Sequence, residues 1–169
     1  MTWQKPSPNC VPSGHWMSNG VSIEEYLNTH GTLTYTNKGV SMLPLLRQGR
    51  DLFTVEKKGP GRCKVGDVVL FRHGDDYVLH RVILVGEKSY IILGDNCVNP
   101  ETGVKDADIL GVMTGYVRNG KRHSVQDPLY RAYSYVILRT RRVRVFCKRT
   151  FMNLYIRLRV RLRRWLKGR

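Results

Sequence analysis

Over the first 127 residues, apolar and polar positions alternate in short runs, the period of strands with one face buried. Residues 32–36, Thr-Leu-Thr-Tyr-Thr, alternate strictly and are rich in β-branched side chains, which predicts a strand. Further strands are expected over 52–55, 67–71, 77–85, 90–93, 109–117 and 122–125. Turn chemistry separates them: Lys58-Gly59-Pro60-Gly61, His73-Gly74-Asp75-Asp76, Gly86-Glu87-Lys88-Ser89 and the hairpin pair Asn119-Gly120. Residues 97–108 read as a polar loop. One short helix is expected before the first strand, over 22–30. Ser22 with Glu25 three residues on makes a capping box, and Gly31 is a natural stop. Leu45 and Leu46 add one helical turn. Short antiparallel strands joined by tight turns give a mainly β body, coiled and partly closed to protect its edges.

After Asp127-Pro128 the period changes. Phe151, Leu154, Tyr155, Leu158, Leu162, Trp165 and Leu166 fall on one helical stripe, with Arg157, Arg161 and Arg164 off it. A strand competes for residues 157–163, where Arg and apolar residues alternate, but the longer window favours a helix. At the other end, residues rich in Pro, Ser, Asn and Gly show little periodicity and read as a loose leader. The expected organisation is therefore a leader at 1–21, a β domain at 22–127 and a basic amphipathic tail at 128–169.

Charge sharpens that division. The chain of 169 residues carries +16, but residues 1–127 hold 15 Lys and Arg against all 13 Asp and Glu. Residues 128–169 hold 14 Lys and Arg and no acid. A nearly neutral body with a cationic tail points to a polyanionic partner for the tail, an anionic membrane surface before nucleic acid. The opening does not read as a secretory signal, and no run approaches the roughly 20 apolar residues of a membrane span. The longest, 109–117, has nine residues and two glycines. Cys10, Cys63, Cys97 and Cys147 lack metal-ligand spacing, so free thiols in a reducing cytoplasm are expected, with no metal and no cofactor. Cys10 and His15 alone do not make a metal site. These features place the protein in the cytoplasm, peripheral on a membrane.

Three stretches carry candidate chemistry. Gly39-Val40-Ser41-Met42-Leu43-Pro44 can hold a hydroxyl on a tight turn, because Gly39 is permissive and Pro44 restricts Leu43. Tyr77-Val78-Leu79-His80-Arg81-Val82 places a histidine in mid-strand, sharing a face with Val78 and Val82. Gly94-Asp95-Asn96 follows the next strand. By themselves these read as a turn serine, a core histidine and a turn aspartate. Together they supply the nucleophile, base and acid of acyl transfer.

In this order, over residues 39–115, the chain resembles the type I signal peptidases and their relatives, the self-cleaving repressors. His80 stands where many members carry a lysine, so the resemblance is to the Ser-His form of the endoplasmic-reticulum and archaeal enzymes. It implies a coiled β fold and a serine endopeptidase with Ser41 as nucleophile and His80 as base. It also implies an acid at Asp95 or Glu101, with Asp106 and Asp108 as further possibilities. The oxyanion would be met by backbone groups at Ser41 and Gly39. The substrate would be an extended peptide or leader segment bound as an added strand. The members are normally membrane-anchored, and this chain shows no such anchor in its sequence. Two competitors remain. A repressor-like regulator would need a DNA-binding segment, and residues 1–31 hold only one short helix. A nucleic-acid-binding β domain without peptidase activity would use the arginine-rich tail.

Overall fold

The computed structural model describes residues 21–167, with side chains described for all of these except 153 and 160–167. The leader, with Cys10 and His15, lies outside them apart from Val21. Helix α1 (Ile23–His30) begins as expected: the Ser22 hydroxyl accepts from the Glu25 N–H at 3.0 Å, and Gly31 closes the helix at φ 72°. That left-handed φ is one glycine adopts without a Cβ penalty. Eight strands follow among the described residues: β1 (Thr32–Thr36), β2 (Asp51–Lys57), β3 (Val68–His73), β4 (Asp76–Val85), β5 (Tyr90–Leu93), β6 (Glu101–Val104), β7 (Ile109–Arg118) and β8 (Lys121–Ser124).

All pairings are antiparallel, in one open sheet of order β1-β2-β7-β3-β4-β5-β6, with β8 beside β7. Register slips in four of these pairings kink the sheet. The mainly β architecture of short antiparallel strands stands, with the sheet open rather than partly closed. The stretch 97–108 read as a loop contains β6, a polar edge strand whose Glu-Thr-Gly-Val sequence carries no alternation.

Alternation along β3 and β4 serves two cores. Val68, Leu70 and Leu79 join Leu33, Phe53, Val55, Met113, Ile23 and Leu27 on one side. Val69, Phe71 and Val82 join Tyr90, Ile92 and Ile109 on the other. Burial on both faces is why four consecutive β4 residues, Leu79 to Val82, are all buried. Two of them are His80 and Arg81, at opposite faces of the strand.

The tail is two helices, α2 (Pro128–Arg139) and α3 (Arg141–Lys167). Pro128 opens α2 in the first turn, where a missing N–H costs nothing. Tyr130 and Ile137 are buried, so α2 packs on the body rather than belonging to a separate tail. The strand alternative for 157–163 does not form; those residues are helical. Among the described residues, no helix is long and apolar enough to cross a membrane.

Candidate active site

Ser41 opens a turn whose apolar residues fix it. Met42, Leu45 and Leu46 are buried in the first core, while Ser41 stays half-buried at the rim. The Leu46 N–H donates to the Met42 carbonyl at 2.9 Å. The buried Met42, Leu45 and Leu46 thus anchor the turn and leave Ser41 at its rim.

His80 reaches the same place from β4. Arg81 pairs with Leu93 of β5, so the next step of the ladder sets His80 beside Gly94. There the backbone approaches so closely that only glycine fits. A Cβ on Gly94 would lie 2.7 Å from Cys97 Sγ, 2.8 Å from the Ser41 carbonyl oxygen and 2.9 Å from His80 Cδ2. The Ser41 backbone, the His80 ring and the Cys97 thiol therefore meet around Gly94, and among the described residues no hydrogen bond joins the Ser41 hydroxyl to His80. Asn96 ties the serine turn to this loop: its N–H donates to the Ser41 carbonyl at 2.7 Å and its side-chain amide to the Val40 carbonyl at 3.0 Å.

His80 is buried, 6 % exposed. Its Nδ1 has no hydrogen-bond partner among the described residues, and its Nε2 is 4.0 Å from Cys97 Sγ. Burial pushes its pKa below the ordinary histidine value, outweighing the opposing charges of Glu101 and Asp95. The imidazole is thus neutral near pH 7, the state a general base needs. Burial pushes the Cys97 thiol up, which keeps it protonated and a poor nucleophile.

The acids fall elsewhere than expected. Asp95 is not hydrogen-bonded to His80. Its two oxygens accept from Arg81 at 2.8 Å each, and one also accepts from the Tyr133 hydroxyl at 2.9 Å. Both side chains of the Arg81–Asp95 pair are about fully buried. Burial works against the Arg81 charge, but Asp95 overcomes it and raises the Arg81 pKa. Burial and Asp95 together push the Tyr133 hydroxyl up. Glu101 stands 3.5 Å from His73 Nδ1, and its charge still acts on His80. Asp106 bonds the Tyr90 hydroxyl, and Asp108 accepts from the Lys105 N–H, so both have structural roles. The Gly39 N–H, expected to face an oxyanion, instead donates to Gln48 Oε1 at 2.8 Å. Ser41 N–H is left as the backbone donor at the turn.

Cys97, whose position after Gly94-Asp95-Asn96 set it near the site, lies against His80. Two features of the site escaped the sequence. Arg81 reaches across to Ser134 of α2 at 2.8 Å as well as to Asp95. Basic side chains of α3 lock the 94–99 loop: Arg144 bonds the Asp95 carbonyl at 2.6 Å, Lys148 bonds Asn96 Oδ1 at 2.7 Å, and Arg149 bonds the Val98 carbonyl at 3.1 Å. Contacts between residues some 50 positions apart leave no local pattern to read. In comparisons with protein-family models, curated proteins and solved structures, nothing matches this chain.

Proposed function

We propose that the protein is a serine endopeptidase of the signal-peptidase-like kind, with Ser41 as nucleophile and His80 as general base, cleaving extended peptide or leader segments. The observation that supports this reading is the meeting of the Ser41 backbone and the His80 ring at Gly94, from segments 39 residues apart in sequence. Ser41 Oγ attacks the scissile carbonyl while its proton passes to His80. The carbon–nitrogen bond then breaks, and His80 returns the proton to the departing amine. Water, deprotonated by the same histidine, releases the acyl group from Ser41. With Asp95 held by Arg81 and Tyr133, the pair works as a Ser-His dyad. The cellular placement that goes with this reading is cytoplasmic and peripheral to a membrane. Free Cys63, Cys97 and Cys147 and the basic tail support it.

The test uses the full chain with leader-like peptides, products being read by mass spectrometry. Ser41→Ala should remove cleavage, and His80→Ala should lower it about 10²–10⁴-fold, the contribution expected of a positioned base. Circular dichroism should show both variants folded. Cleavage at the wild-type rate in folded Ser41→Ala overturns the reading.

A further inference from the structure

Helix α3 has two unlike halves. Its first turns are bonded to the 94–99 loop through Arg144, Lys148 and Arg149. From residue 150 onward, every residue whose side chain is described is exposed. Phe151 is 73 % exposed, Leu154 54 %, Tyr155 56 % and Leu158 55 %. In helical spacing these four form an arc of about 100°. Arg157 and Arg159 flank it, and α3 as a whole carries 11 Lys and Arg with no acid. The residues 150–167 span about 27 Å.

We propose that the outer half of α3 is a docking surface for an anionic lipid bilayer, lying in the headgroup plane with Phe151, Leu154, Tyr155 and Leu158 inserted. The charge selects this occupant. A second copy of the helix would bring like charge against like, and nucleic acid would leave the apolar arc bare. A bilayer with anionic headgroups satisfies both faces at once. Since the inner half of the same helix is bonded to the loop that borders Ser41 and His80, docking holds that loop at the membrane surface.

Flotation of the full chain with phosphatidylglycerol-containing vesicles, against phosphatidylcholine vesicles, tests the surface. Wild type should float only with the anionic vesicles. Phe151→Ser/Leu154→Ser/Leu158→Ser, which leaves the charge unchanged, should lower binding at least about tenfold, because each inserted apolar side chain contributes that much or more. No flotation of the wild type overturns the proposal. So does equal flotation of the triple variant, and if RNA then competes it off, the tail is a nucleic-acid surface. Alkylation of half-buried Cys97 reports the loop, read by mass spectrometry apart from Cys63 and Cys147. Vesicles should slow it in the wild type and leave it unchanged in the triple variant. An unchanged rate in vesicle-bound wild type refutes the link between helix and site. None of these readouts depends on peptide cleavage.

Discussion

Gly94 is where the site is most sensitive to a single atom. Its neighbours at 2.7–2.9 Å include the backbone oxygen of Ser41, which cannot swing away as a flexible side chain would. Gly94→Ala should therefore part the Ser41 turn from His80, at about 1–3 kcal/mol of overpacking. The expected outcome is a folded protein with cleavage lost, seen by thermal melting beside the peptide assay. His80 gives a second prediction at this scale. Its folded pKa lies below the ordinary value of about 6.5, so the acid limb of kcat/KM should lie below pH 6.5. The unfolded chain binds the proton more tightly. Stability should accordingly fall as pH drops through about 6.5 towards the folded pKa, and be fully present above that window. Glu101 raises the His80 pKa, so Glu101→Gln should move the acid limb to still lower pH. A limb that stays put would show that Glu101 does not act on the base.

At the scale of elements, the buried Arg81–Asp95 pair is the joint between β4, the Gly-Asp-Asn loop and α2. Removing one member of a buried pair leaves the other charge uncompensated, typically at about 3–5 kcal/mol. Asp95→Asn should thus lower the midpoint of urea unfolding well beyond Tyr133→Phe, which removes one hydrogen bond to a charged group at about 1.5–3 kcal/mol. The expectation that Asp95 orients the base predicts the opposite pattern: lost turnover with unchanged stability. Asp51 is a second anchored acid. Burial would raise it, but Arg50, the Arg47 N–H and Arg118 overcome that and hold its pKa at about 2. Its contribution is present above about pH 4 and disappears as pH falls towards 2.

For the whole molecule, α2 belongs to the body, and the described side chains of α3 from residue 150 do not. Tyr130 and Ile137 are buried, and Arg144 bonds both the Asp95 and the Ile137 carbonyls. A chain ending at residue 150 should keep the cooperative unfolding of the full protein. A chain ending at 127 should lose it, because Arg81 then loses Ser134 and Asp95 loses Tyr133. Differential scanning calorimetry separates the two, and equal transitions in both would place α2 outside the folded unit.

What the sequence determined by itself was what short windows carry. Period-two alternation placed β1, and an apolar run between turns placed β5, at their ends, with most other strands within two or three residues. Ser22, Glu25 and Gly31 bounded α1, and a helical stripe with basic flanks announced α3. The order of Ser41, His80 and Gly94-Asp95-Asn96 was also legible, because each stretch has its own local chemistry. Only the tertiary structure decided what those stretches touch. Polar β6 forms because β5 offers it a hydrogen-bonding edge, not because its residues alternate. Asp95 turns to Arg81 and Tyr133 because a buried guanidinium must be paired, and that demand comes from β4 and α2 rather than from the Gly-Asp-Asn turn. The Gly39 N–H goes to Gln48, and α2 docks on the body, through contacts between residues distant in the chain. Local pattern sets backbone conformation and the face that is buried. The pairing of buried charges and donors is settled by which elements meet, and a linear reading cannot see that meeting.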